Sequence, residues 1–149
     1  MTLEEWQQNK WLKKEPSSAQ EIADLLGLVK RNLQDAAVDL ISLDARLQFV
    51  YNAALICATI ALRASGYRVP AIEGHHEKTL NSLRFTISSD SKLIARLNGF
   101  RKKRSNIMYD VAGTTSQSEF DDLFKITVDL FNQIKKWLGK NHPELIENR

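Results

Sequence analysis

The sequence predicts an all-α fold, an antiparallel bundle of four to five main helices, and three observations predict it. Apolar residues recur at steps of three and four from one end to the other, and no segment alternates at period two for long enough to argue a strand. Three Ser/Thr-x-x-Glu boxes, Thr2 to Glu5, Ser18 to Glu21 and Ser116 to Glu119, each precede such an apolar run, as helix N-termini do. With 149 residues, 43% of them hydrophobic, and only six glycines and three prolines, the chain suits one domain around one core. Neither a repeat nor a low-complexity segment interrupts it.

The first box, with Leu3, Trp6 and Trp11, predicts a short helix stopped by Pro16, appended over residues 1–16 to a single domain of residues 1–149. After Ser18, Ile22, Leu26, Val29, Leu33, Ala36, Leu40, Leu43, Leu47, Val50, Ala54, Cys57 and Ala61 recur without a break. Read as one helix, this stripe would be about 65 Å long. A domain of this size has a radius of gyration of about 15 Å, so the stripe must fold back. The place is Val38 to Asp44, where Ser42 caps a new helix and Asp44 stands in its first turn. That helix ends at Ser65-Gly66, and a loop runs from Tyr67 to Gly74. His75 to Phe85 is helical, Ser88 to Ser91 breaks and recaps the chain, and Leu93, Ile94, Leu97, Phe100, Ile107 and Met108 form the next stripe. Gly113-Thr114-Thr115 ends it. The last helix, with Phe120, Leu123, Phe124, Thr127, Leu130, Phe131, Ile134 and Leu138, stops at Gly139 and Pro143, leaving 139–149 as a flexible tail.

Several chemistries find no support. Cys57 sits alone in an apolar stretch, which suits a small core residue and neither a disulfide nor a metal knot. His75 and His76 are adjacent, so their side chains diverge by about 100° on a helix and cannot share one ion unaided. No metal site is expected, and without a Walker loop, a dinucleotide glycine pattern or a Ser/His/Asp order, no cofactor either. No apolar run approaches the roughly 18 residues that span a bilayer, and the N-terminus lacks the apolar centre of a signal peptide. The expectation is a soluble cytoplasmic protein with no membrane partner.

Charge concentrates in one place. Between Arg84 and Arg104 stand seven Lys/Arg and one acid, Asp90, so this segment carries +6 where the whole chain carries +3 and the remainder −3. Phosphates respond to such a local field more than to overall pI. The run ends in Arg101-Lys102-Lys103-Arg104-Ser105-Asn106-Ile107-Met108-Tyr109-Asp110, where basic groups lead into an amide and a phenol. In the plainer interpretation, Arg101 and Arg104 pair with acids of a neighbouring helix and Tyr109 covers the core. Without helix-turn-helix spacing, duplex DNA is a weaker partner than RNA.

The segment YNAAL at Tyr51, the loop GYRVP with GHHEKTL, and RKKRSNIMYD before a terminal amphipathic helix together resemble the HEPN superfamily of small helical domains. The resemblance spans roughly Ser18 to Leu138 and lies in the order and spacing of short motifs. It implies an up-and-down bundle, usually a homodimer, and in many members a metal-independent endoribonuclease whose site is an Arg followed after four to six residues by a His. It also implies partners: several members are toxins paired with a nucleotidyltransferase antitoxin, others act in defence or bind RNA or protein without cutting, and some are modified on a tyrosine near the motif. Carried over, the family Arg is Arg104 and the His position is occupied by Tyr109. Arg104, Asn106 and Tyr109 are thus the expected reactive group, Arg101, Lys102 and Lys103 the expected phosphate-binding group, and Asp110 an alternative partner for Arg104. A phenol, with its ordinary pKa of about 10, is a poor base at neutral pH. Tyr109 therefore acts as an acid or orienting group, or cutting is lost, unless His75 or His76 approaches Arg104 and supplies the base.

Overall fold

The structure, a computed structural model, describes residues 1–109 and 113–146, with the backbone alone for 107–109. It is all-α, as the spacing predicts: α1 (Leu3–Gln8), α2 (Ala19–Ala36), α3 (Leu43–Ala64), α4 (His75–Asn81), α5 (Leu83–Thr86), α6 (Ser91–Tyr109) and α7 (Gln117–Asn141). Hydroxyls cap the starts as their sequence boxes require. Thr2, Ser18, Ser42 and Ser116 each accept the backbone N–H three residues on, and Glu119 reciprocates to Ser116 in a complete capping box. Asp90 does the same for α6, accepting from the Leu93 N–H at 2.8 Å.

The long apolar stripe breaks where expected, between Ala36 and Leu43. Arg46, buried in the first turn of α3, donates from Nε to the Ala36 carbonyl at 2.8 Å and closes the end of α2. Leu40 leaves the stripe: it lies in the loop, 98% exposed. Asp44, in the same turn of α3, ties down the segment before α7, accepting from the Gly113 N–H and from the Thr115 hydroxyl and N–H. The Thr115 and Gly113 bonds hold its carboxyl below the usual carboxylate range.

α3 is the central post, packed by α2, α4, α5, α6 and α7. Thirteen of its twenty-two residues are buried, and alanines 53, 54, 58, 61 and 64 let the neighbours approach closely. By length and composition α3 is apolar enough to cross a bilayer, which the sequence expectation denied; in this fold its faces are covered by other helices. Cys57 is in the core, and burial pushes its thiol pKa up, away from the thiolate.

Three boundaries differ from expectation. α1 stops at Gln8, with Lys10 in the left-handed region (φ 64°), so Trp11 and Leu12 leave the helix and Lys13–Lys14 (β1) pair antiparallel with Tyr67–Arg68 (β2). Two residues per strand are too few for a period-two signal. The appended segment thereby builds a second small core of Trp6, Leu12, Leu62 and Tyr67, with Phe85 edge-on to Trp6 at 5.2 Å. Ser82 interrupts the piece from His75 to Phe85 and divides it into α4 and α5. At the other end Gly139 lies inside α7, which runs to Asn141; a 3-10 turn follows at Pro143–Leu145, and Leu145 and Ile146 pack against the core, so residues 139–146 do not form a tail.

One side chain joins these parts. Arg63, 7% exposed, places all five guanidinium hydrogens: Nε and Nη2 on the two Glu21 carboxylate oxygens at 2.6 and 2.9 Å, and the rest on the carbonyls of Glu15, Pro16 and Tyr67. Removing one member of a buried, hydrogen-bonded ion pair leaves the other uncompensated. Arg63→Ala is therefore expected to lower stability to urea by about 3 kcal/mol, and Glu21→Gln by less, since its amide still accepts one bond. For Asp44, stabilisation is full above the ordinary carboxyl value of 3.8 and is lost as pH falls through the lower folded value. The stability gap between the parent and Asp44→Asn in urea titrations should shrink across that acid range.

Candidate functional site

Helical spacing gathers the candidate residues onto one side of α6. Asn98, Arg101 and Arg104 stand at successive steps of three, so they share a face, and that face looks toward α3 and α4. A polar chain fixes α4 there. Arg101 Nε donates to Asn98 Oδ1 at 3.0 Å, Asn98 Nδ2 donates to Asn81 Oδ1 at 3.0 Å, and Arg101 Nη2 lies 3.6 Å from the Glu77 carboxylate. On the far side of α4 the Lys78 ammonium sits 4.5 Å from the Trp11 ring, so the appended N-terminal segment also holds this helix.

The centre of the cluster is Tyr51 of α3. Its ring is fully buried, with the Arg104 guanidinium carbon 5.4 Å and the His76 ring centroid 6.2 Å from its own centroid. Five buried side-chain polar atoms have no hydrogen-bond partner among the described residues, and two of them, Tyr51 Oη and Arg104 Nε, belong here. A buried donor left unmade costs about 1–3 kcal/mol, more when charged, so two on neighbouring side chains single this cluster out chemically.

Burial and the neighbouring cations set the protonation states. Burial pushes the Tyr51 phenol up to about 12, against a smaller opposing pull from Arg104 and Arg101, so it remains a neutral donor. His76 is drawn below its ordinary 6.5, first by burial and then by His75, Arg104 and Arg101. At neutral pH its imidazole is uncharged and able to accept a proton. The cluster thus combines a cation, a neutral donor and a neutral base, which is what holding an anionic oxygen and moving a proton beside it requires.

Not every expected residue belongs. Lys103 turns to the start of α7, where its ammonium meets the Glu119 carboxylate at 3.2 Å and the Thr114 carbonyl at 3.1 Å. Lys102 and Asn106 are exposed, away from Tyr51's buried ring, because they fall on other sides of α6. The side chain of Tyr109 and the whole of Asp110 lie outside the described residues. Arg101 has the acidic partner of the plainer interpretation, whereas Arg104 has no ion pair among the described residues. His75 is exposed, with Nδ1 3.0 Å from the Ile72 carbonyl and its ring edge-on to His76 at 4.5 Å. Among the described residues no group of three or more His, Cys, Asp or Glu is placed to hold a metal ion.

Tyr51 is the residue that sequence reasoning missed. Its signal was present: it stands four residues after Leu47 and three before Ala54, on the buried stripe, where a phenol hydroxyl needs a partner that aliphatic neighbours cannot give.

A groove of about 510 Å³ adjoins the cluster, bounded by α2, α3, β2 and α4, and His76 lies on its wall. Compared with protein-family models, curated proteins and solved structures, the chain shows no match.

Because the buried Tyr51 hydroxyl has no partner among the described residues, Tyr51→Phe should leave the free protein as stable as the parent, or more stable by about 1 kcal/mol. Thermal and urea unfolding in phosphate-free buffer check this.

Proposed function

We propose that this chain is a HEPN-like protein that contacts RNA through its phosphates, acting as a homodimer in the cytoplasm within a toxin-antitoxin or defence system. The observation that carries this reading is the approach of the Arg104 guanidinium and the neutral His76 imidazole to the Tyr51 ring, at 5.4 and 6.2 Å, beside Arg101 in the most cationic segment of the chain. Arg104 and Tyr51 donate to a phosphate oxygen, and Arg101 adds charge held in place by Asn98 and Glu77.

If the protein cuts RNA, His76 replaces the histidine that position 109 lacks. The 2′-hydroxyl gives its proton to His76 as its oxygen bonds to phosphorus, Arg104 stabilises the pentacoordinate phosphate, and the 5′-oxygen leaves with a proton from solvent. The products are a 2′,3′-cyclic phosphate and a 5′-hydroxyl, and the step needs no metal.

A second reading is favoured by Tyr109 standing where the family resemblance places a histidine. The chain is then a non-catalytic helical module paired with a nucleotidyltransferase, which modifies Tyr109. Mass spectrometry after co-expression with such an enzyme would find the adduct on Tyr109; an unmodified residue counts against it.

The primary test incubates structured RNA with purified protein in EDTA. Arg104→Ala should weaken RNA binding at least tenfold and abolish any cleavage; equal binding and cleavage by both proteins would remove Arg104 from the site. Any cleavage should rise with pH through a value below 6.5, since His76 must be uncharged to act as base, and His76→Gln should lose that acid limb.

A further inference from the structure

His76 has a second environment besides the phosphate cluster. The adjoining groove of about 510 Å³ is of the size that holds one nucleotide-sized group. Leu25, Leu55, Leu62 and Val69 give it apolar walls. Its polar groups divide into those already used and those still available. Arg63 has placed every donor and Glu21 has both oxygens on Arg63, so these two are structural.

Glu15 faces Arg63 and Arg68, and the Thr79 hydroxyl donates to the His75 carbonyl. Three further groups border the groove. The Arg68 guanidinium has a 59% exposed side chain and only a 3.8 Å approach to Glu15. The Thr59 hydroxyl donates to the Leu55 carbonyl and keeps its lone pairs. His75 has Nδ1 at the Ile72 carbonyl, which leaves Nε2 for another partner. The formal charges cancel, Glu15 and Glu21 against Arg63 and Arg68. Apolar walls, balanced charge and separate donors and acceptors at the rim suit a neutral, flat heterocycle. A second phosphate would face two carboxylates, and a fatty chain would strand the polar rim.

We infer that the groove seats an unstacked nucleobase of single-stranded RNA whose adjacent phosphate lies at Arg104, with the His76 ring as the partition between the two subsites. The inference rests on the phosphate reading above and adds substrate class to it. In a duplex the bases are stacked and paired, so only a loop, an end or a single strand can place one in the groove. Stacking of a base on an aromatic face, here the His76 ring, contributes about 1–3 kcal/mol per base, roughly a tenfold or greater change in affinity.

The experiment compares, by fluorescence anisotropy with the full chain, a short single-stranded RNA and an oligomer of equal length whose ribose-phosphate backbone is abasic. The intact RNA should bind at least tenfold more tightly. Thr59→Phe, which fills the groove from α3, should reduce the intact RNA to the abasic level and leave the abasic oligomer unchanged. Val69→Trp fills it from the β2 side and serves if circular dichroism shows Thr59→Phe misfolded. Equal affinity for the two oligomers, or no effect of a folded groove variant on either, overturns the base subsite while Arg104→Ala still weakens both. Should Arg104→Ala weaken neither oligomer, the phosphate reading itself fails and this inference with it.

Discussion

The fold depends on a guanidinium buried where four pieces of chain meet. Arg63 lies near the end of α3, and its five hydrogens reach the carboxylate at the start of α2, two carbonyls of the segment before α2, and a carbonyl of β2. A charge in that position is tolerable only because every donor is met and the carboxylate is bidentate. Once it is met, the N-terminal segment lies against β2, Trp11 reaches Lys78, and α4 is held from outside. From inside, Asn81, Asn98, Arg101 and Glu77 tie the same helix to α6. The position of His76 is set by those two restraints, so a structural ion pair indirectly fixes where its imidazole stands.

Two arginines are handled in opposite ways. Arg63 is saturated and belongs to the scaffold. Arg104 has a buried Nε without a partner among the described residues, against an aromatic face whose hydroxyl is equally unmet. Each such group costs free energy until an acceptor meets it. His76 stands at the edge of this region and also on the wall of a groove of balanced charge, so one side chain borders a cationic cluster and a neutral groove.

Legibility varied with the range of the interaction that decided each feature. Caps at Ser18, Ser42 and Ser116 were readable because a hydroxyl three residues before an N–H is a local geometry. The break after Ala36 was readable because one helix of that length cannot fit the domain. The β1–β2 pairing was not, because two residues carry no periodicity and the register comes from Arg63 and the Trp6 cluster. Gly139 misled because a glycine ends a helix only where the chain needs a left-handed turn; here Ile146 returns over it and the helix continues. In the basic run, sequence proximity suggested that Lys102, Lys103 and Asn106 act with Arg104, yet consecutive helical residues point to different sides.

By itself the sequence determined the helical class, the main helix starts, the core stripe and the concentration of positive charge, because spacing, caps and composition are local properties. Only the tertiary structure decided which cations are without acids among the described residues, that Tyr51 and His76 join Arg104, and that a groove opens beside them. Those outcomes depend on how three helices distant in the chain are rotated and pressed together, and that rotation is set by packing around α3 and by the contacts of Arg63 and Asn98.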